Sequence, residues 1–467
     1  MKRWIKIFLL IVLTRLQLAA QTDSPDLLSP DAFLQLVKLY HPVVKQAALK
    51  IDMANGTLLA ANGAFDPQLQ VESSRKTFDG KNYYFYNNPE LKIQTAAGIV
   101  IKTGIENNGG SNINPEVSTG KTSYLAAELP LAKGFLLDKY RAGMKQAKLF
   151  VQLSEQERRN AVNDLLLEAY TAYWQWAGAY QLYHLYEQYI NTAVARLQLI
   201  KTAWQNGDRA AMDTVEAYVQ WQQYQLQQLA ARRQLNDAAI ELAAYIWQPG
   251  QDPWMMPLKH LPDTAGLRQL IPPPEMEPLI NQAAAQHPAI MSYEYKIRSL
   301  ELDKRLKFQG LLPELNLRAN LLNKDYFALK GLDAAMLQNN YKWGVSFKMP
   351  LFLRESRGVY RQAKLKISEN TLALADKRRQ IINKIRVYYN DNYTLLQQLN
   401  TTQQLLVDYN RLLRNEELKL RQGESSLFLV NSRENKLLEL QQKQVELRVK
   451  YRKSLYAING AAGTLFL

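Results

Sequence analysis

The sequence contains no cysteine. That excludes disulfide frameworks, thiol nucleophiles, Cys-ligated zinc, iron–sulfur clusters and a lipid-modified N-terminal cysteine. With only four histidines, there is little from which to build imidazole metal or proton-transfer sites. His41 and His287 each precede a proline at a helix start, which suits the geometry of chain entry better than metal binding, and His184 and His260 have no companions at ligand spacing. There is no Walker loop, dinucleotide fingerprint, His-Glu-x-x-His or nucleophile elbow. Glu424-Ser425-Ser426 follows Gly423 but lacks the second glycine, so it reads as a turn. The chain is expected to catalyse no reaction and to hold no cofactor or metal. Basic clusters such as Lys377-Arg378-Arg379 and Arg232-Arg233 are short and scattered, which marks solvated helix faces and no nucleic-acid contact.

Long apolar runs are also missing. Residues 1–20 carry Lys2, Arg3 and Lys6, an apolar run from Ile7 to Leu13, and Ala19-Ala20 before polar residues. This is the order of a secretory signal peptide, and the run is too short for a membrane anchor, which needs about 20 residues. Its loss takes the formal charge from +15 to +11, because the segment holds four basic and no acidic residues. No later stretch is apolar enough to span a bilayer as a helix. An exported chain of this kind is therefore soluble or enters a membrane as a β-barrel.

What is present is the composition of a folded chain: 467 residues, 47% hydrophobic and 22% charged. The sequence also repeats itself. His41-Pro42 and Pro67 recur as His287-Pro288 and Pro313, at an offset of 246. Gln146-Ala147-Lys148 and Gly207 recur as Gln362-Ala363-Lys364 and Gly423, at an offset of 216. Ordered matches at two consistent offsets mark a duplicated unit.

Within each repeat the order is helix, non-helical segment, long helix, glycine turn, helix. The long helices are expected over about 136–205 and 354–422, each near 70 residues and roughly 105 Å. The flanking helices are expected over roughly 30–64 and 211–247, then 276–311 and 427–459, as if two half-length helices stacked beside a full-length partner. Leu399, Leu406, Leu413 and Leu420 recur every seven residues, a coiled-coil seam. Leu395, Leu396, Leu405 and Leu412 broaden it, so the helix touches more than one neighbour. Tyr170, Tyr173, Tyr180, Tyr183 and Tyr186, with Trp174 and Trp176, read as core packing, with a ligand-stacking surface as the alternative. Residues 249–278 hold eight of the 18 prolines and read as a linker.

The middle segments alternate. From Tyr341 to Lys348, Tyr341, Trp343, Val345 and Phe347 fall on one face, and Lys342, Gly344, Ser346 and Lys348 on the other. Residues 315–321 do the same. Such strands suit a lipid-facing barrel wall; a soluble half-buried sheet gives the same alternation. The aromatics Tyr326, Phe327 and Tyr341 beside the intervening loop favour an interfacial girdle. The first repeat is less regular and carries an insert, 83–118, expected as an extra hairpin or a long outer loop. Four principal strands cannot close a membrane barrel, for which about eight or more are needed, so several copies would share one.

The duplicated His-Pro helix starts at 41 and 287, the strand entries at Pro67 and Pro313, the exits Leu129-Pro130-Leu131 and Met349-Pro350-Leu351, and the turns at Gly207 and Gly423 resemble the TolC-type outer membrane factor family over essentially the whole mature chain. The resemblance implies a mainly α fold with a membrane β-barrel. Each chain would be a duplicated TolC-like unit of long coiled-coil helical hairpins and four or more barrel strands, and the assembly a trimeric α/β-barrel tube with twelve strands. The segments would then be a signal peptide (1–20), periplasmic helices (21–66), an outer-membrane β segment (67–130) and a helical hairpin (131–248). After an equatorial linker (249–275) would come a helix (276–312), a second β segment (313–350), and a second hairpin with the C-terminal segment (351–467).

Its partners would be two further copies in a homotrimer, a periplasmic adaptor, an inner-membrane transporter and outer-membrane lipid, in an efflux pump or type I secretion system that reaches from the outer membrane into the periplasm. The alternative is an exported soluble coiled-coil scaffold or adhesin. In the family, acidic residues six and nine positions beyond each glycine turn narrow the periplasmic aperture. Asp213 and Glu216 fit; Leu429 and Ser432 depart. Leu427, Phe428 and Leu429 would either form an apolar ring that closes by dewetting or pack the hairpin tip. Gly207 and Gly423 would supply positive φ or close approach at the turns and help to dock the adaptor.

Overall fold

The computed structural model describes residues 27–248, 261–325 and 340–466. The expected signal peptide, the first part of the linker, Tyr326 and Phe327 lie outside them. Its elements in chain order are β1 (Leu27–Leu28), α1 (Pro30–Tyr40), α2 (Pro42–Asn62), β2 (Gln68–Phe78), β3 (Lys81–Gln94), β4 (Val100–Gly109) and β5 (Gly120–Pro130). There follow α3 (Lys139–Gln205), α4 (Ala211–Ala243), β6 (Leu261–Pro262), α5 (Ala265–Arg268), α6 (Met276–Gln286), α7 (Pro288–Gln309), β7 (Glu314–Lys324) and β8 (Tyr341–Lys348). The last two helices are α8 (Arg354–Gln422) and α9 (Leu427–Ala462). At 67 and 69 residues, α3 and α8 match the expected long helices.

The chain forms two compact units. The first takes in the described residues up to Gln46, Asn160–Ala283 and those from Ile381 on; the second takes in Ala47–Arg159 and Ala284–Gln380. The core of the first is aromatic. Tyr173, Trp174 and Trp176 of α3 are buried with Phe33, Leu242, Ile246 and Leu267. The Tyr173 hydroxyl donates to the Leu28 carbonyl at 2.7 Å and accepts from the Asp263 amide at 3.1 Å, which pins the short parallel pair β1–β6. The tyrosine-rich stretch of α3 thus serves packing. Ile385, Asn392, Leu399 and Leu406, seven residues apart, are buried along α8, as the heptad seam requires. Leu395 and Leu396 pack beside it, whereas Leu405 and Leu412 are exposed in the single chain.

The two flanking stretches that contain a His-Pro pair, expected over 30–64 and 276–311, are each broken in two there. Proline disfavours helical geometry in the residue before it. His41 and His287 accordingly take extended backbone, with ψ of 132° and 128°. Each imidazole then caps the next helix through Nδ1, which accepts from the Val43 amide at 3.2 Å and from the Ala289 amide at 3.1 Å. The duplicated histidines are caps, the same device used twice.

The second unit contains one antiparallel sheet in the order β2-β3-β4-β5-β7-β8. The insert of the first repeat supplies β3 and β4, so the sheet has six strands, two beyond the four principal strands expected. The β2–β3 turn is Asp79-Gly80, with φ of 50° and 70°, the two-residue left-handed pair suited to hairpins. The lower strand ends step regularly along the sheet. A row drawn across the ladder from Gln68, the first residue of β2, meets β8 at Lys342, six residues from its last residue. At about 3.3 Å per residue and about 4.8 Å per strand, that stagger over five inter-strand steps is a tilt of about 40°.

Burial lowers the His41 pKa, as befits a ring whose Nδ1 must stay free of a proton to accept a bond. The folded-state value lies below the unfolded one, so the stabilisation is complete above about pH 6.5 and is lost as pH falls below it. Hydrogen exchange at Val43, Val44 and Lys45 should therefore show a junction that opens more readily at about pH 5 than at about pH 7.5. His41→Ala should abolish that difference.

Candidate functional site

Two regions carry the residues singled out in the sequence: the hairpin ends near Gly207 and Gly423, and the faces of the sheet. At the ends, α3 and α8 stop with the same motif. The Asp208 amide donates to the Ala203 carbonyl (2.9 Å) and Gly207 to Trp204 (3.0 Å); Glu424 donates to Lys419 (2.9 Å) and Gly423 to Leu420 (3.2 Å). This is the Schellman arrangement, which needs a left-handed residue at the glycine. Gly207 and Gly423 have φ of 82° and 79°, and a Cβ on either would meet nothing within 4 Å. Backbone conformation, not close approach, requires the glycines.

Beyond the turns, Asp213 sits in the first turn of α4, 3.7 Å from Arg209. Arg209 also donates to the Leu420 carbonyl at 3.0 Å, tying one tip to the other. Glu216 accepts from Asn431 at 3.2 Å. Ser426 caps α9 through the Leu429 amide. Of the apolar triplet, Leu427 is 1% exposed and packs with Leu197, Ile200 and Ala217, while Phe428 and Leu429 are exposed. Ser432 is exposed beside them.

Sequence reading passed over the group that joins these helices. Arg196 of α3 grips Glu434 of α9 with both terminal nitrogens (2.5 and 3.0 Å), and also reaches Asn431 (3.3 Å) and Glu417 of α8 (3.7 Å). The Tyr224 hydroxyl donates to Glu434 at 3.2 Å. Gln220 and Asn435 exchange amide bonds of 2.7 and 3.2 Å. Glu434 is 4% exposed. Burial opposes the Arg196 charge, and the bonded carboxylate of Glu434 overcomes it, so the guanidinium is held above its usual range. Burial and the Glu434 charge raise the Tyr224 pKa, keeping the phenol a donor. The available signal was charge on an otherwise apolar stripe: Arg196 lies between Ala193 and Ile200, and Glu434 between Val430 and Leu437.

The sheet separates two chemistries. Tyr341, Trp343, Val345 and Phe347 share one face and are 62, 67, 54 and 68% exposed, so nothing among the described residues covers them. They stand opposite Leu321, Ala319, Leu317 and Leu315 in the register. The other face carries a polar lattice. Glu128 lies 3.4 Å from Arg318 and 4.0 Å from Lys102, and Thr122 donates to Glu106 at 3.1 Å. The outer edges of β2 and β8 have no strand partner among the described residues.

Paired long helices and an open, two-faced antiparallel sheet define the class of outer-membrane channel proteins. Solved structures share the fold over nearly the whole chain. The CmeC outer membrane channel of Campylobacter jejuni covers 93% of this chain and 85% of its own at a TM-score of 0.64 and 15% identity. VceC of Vibrio cholerae covers 94% and 97% at 0.65 and 16%, and the open-state MtrE channel of Neisseria gonorrhoeae 93% and 88% at 0.64 and 13%. The chain belongs to the outer membrane efflux protein family, whose model matches residues 33–246 and 279–464, and it is an outer-membrane protein. A curated relative, the alkaline protease secretion protein AprF of Pseudomonas aeruginosa, is 23% identical over 278 residues, 58% of this chain and 54% of the relative. The chain thus spans about half the length of that relative.

Removing one side of the Arg196–Glu434 pair strands a buried charge. Glu434→Ala should cost about 3–5 kcal/mol, while the double variant Arg196→Met with Glu434→Leu should lie nearer the parent, as denaturant midpoints of the detergent-solubilised protein will show. Gly423→Ala should cost about 1 kcal/mol through its left-handed backbone alone. Faster hydrogen exchange confined to residues 419–424 would be its signature.

Proposed function

We propose that the chain is the passive outer-membrane exit duct of an envelope-spanning exporter, an efflux pump or a type I secretion system. It acts as a homotrimer with a periplasmic adaptor and an inner-membrane transporter that supplies the energy. The observation that carries this reading is the open sheet: apolar side chains on one face, a polar lattice on the other, and two edges with no strand partner among the described residues. Lipid accepts no unpaired backbone, so such a sheet can enter a membrane only if further copies complete it. Tyr341, Trp343, Val345 and Phe347 then meet lipid and the charged lattice lines a water-filled lumen. The exposed stripe of Val215, Tyr218, Val219, Leu226 and Leu229 along α4 supports the same conclusion, since a monomer would leave it in water.

The tips would form the periplasmic aperture. Asp213, Glu216, Phe428, Leu429 and Ser432 crowd the hairpin ends, with Leu427 packing beneath them, and the rigid turns at Gly207 and Gly423 present the surface for the adaptor. The family's description favours efflux, and the name of the AprF relative favours secretion of a polypeptide. Both use the same passive conduit.

Protein extracted from outer membranes in detergent should run as a trimer and conduct ions in a planar bilayer. A monomer that leaves the bilayer insulating would overturn the duct and favour the exported scaffold.

A further inference from the structure

Among the described residues the first repeat contributes four strands to the sheet and the second two. Resting on the duct reading above, we propose that the inserted strands β3 and β4 are part of the barrel wall, so that three copies of six strands close an eighteen-stranded barrel in place of the twelve-stranded one.

The faces carry the argument first. In the half of the sheet next to the helices the apolar face continues through the insert: Leu69 opposite Leu91, Ile93 opposite Ile101, Ile101 opposite Ala127, Leu125 opposite Leu321, and Leu317 opposite Val345, with Thr103 between Leu91 and Leu125; the β2–β3 register shifts only at Lys76/Thr77, beside the turn. A one-residue slip of β3 or β4 against its neighbours at this level would have turned the insert's apolar side chains to the polar side. A hairpin lying in water outside the wall has no need of that match.

The polar face is tied together through the insert as well. Glu90, Gly104 and Tyr124 lie in one row across β3, β4 and β5. The Tyr124 hydroxyl reaches over β4 to donate to Glu90 at 2.6 Å. It can do so because the position between them is glycine: a Cβ on Gly104 would stand 2.9 Å from the Tyr124 ring and 2.6 Å from the Pro89 carbonyl. At the base, Arg141 donates from one guanidinium to Ala97 in the β3–β4 turn (3.4 Å) and to Phe135 before α3 (2.9 Å), while pairing with Asp138 (2.8 Å). The insert is thus fastened at the level where the other strands enter their helices.

Dimensions agree. With 14 and 10 residues, β3 and β4 reach the roughly 9–11 residues that a tilted membrane strand needs. The sheet's tilt of about 40° falls within the range of closed membrane barrels. Six strands, an even number, leave β2 and β8 running in opposite directions, so β8 of one copy can add antiparallel to β2 of the next around a closed ring.

The natural absence of cysteine permits a direct test on the full-length protein in lipid nanodiscs. Nitroxide labels at Ile93→Cys, Ile101→Cys and Ile105→Cys should be reached by molecular oxygen and shielded from a nickel chelate. Labels at Lys92→Cys, Lys102→Cys and Glu106→Cys should show the reverse. Equal nickel access at all six would overturn the wall assignment. As a second measurement, the pair Leu91→Cys with Thr103→Cys should oxidise to a disulfide. Oxidation of Leu69→Cys with Leu129→Cys would instead set β2 against β5 and refute the proposal. The barrel diameter seen by electron microscopy should be about 1.5-fold that of a twelve-stranded barrel, because diameter grows nearly linearly with strand number. Trimer state and ion conduction are read on the same samples. A conducting trimer with uniformly wet labels sinks the eighteen-stranded wall and leaves the duct standing; a non-conducting monomer sinks both.

Discussion

Hydrogen bonding at the two sheet edges is the constraint on which the rest of the molecule depends. Each interior strand of the sheet is hydrogen-bonded to a neighbour on both sides, but the outermost backbone groups of β2 and β8 find no partner strand among the described residues. In water such edges are a liability that proteins blunt with charge or proline. In hydrocarbon they are intolerable. β8 presents Tyr, Trp, Val and Phe on one side along its length, which suits a strand that is never left unpaired in its working environment.

The helical part shows how register is held over long, repetitive coils. Apolar stripes alone allow two helices to slide past each other by a turn. A buried Arg196–Glu434 pair, with Tyr224 and Asn431 on its remaining bonding sites, is satisfied in only one alignment. Such a pair contributes little net stability because both charges give up water, yet any slip exposes its full desolvation cost. The His-Pro breaks work similarly at the short helices. Proline ends one segment, the histidine ring caps the next, and the bend falls at a fixed residue.

Much of this was legible in the sequence, for physical reasons. The long helices were readable because both repeats set the same long span between a strand exit and a glycine turn and leucines recur every seven residues from 399 to 420, and the glycine turns because left-handed backbone selects for glycine. The strand from Tyr341 to Lys348 was readable because two different surroundings impose a strict period of two. The His-Pro pairs at 41 and 287 read as helix starts, yet the spans 30–64 and 276–311 run through them, although the restriction that proline places on its predecessor requires a break there. The β3–β4 hairpin was left open between a hairpin and a loop: Asn87, Asn107 and Asn108 dilute the alternation, and the Asp79-Gly80 turn signal was passed over. Arg196 and Glu434 could not be matched from sequence, since 238 residues separate them and only folding brings their stripes together.

The exchange of amide bonds between Gln220 and Asn435 has an evolutionary consequence. These residues stand at nearly equivalent places in the two repeats, one on each helix that follows a glycine turn, so the duplicated halves meet like against like. A replacement on one side alone orphans its counterpart. A change at this level is tolerated only if both copies change in step, even though a few residues nearer the tips one half carries Asp213 and Glu216 where the other carries Leu429 and Ser432.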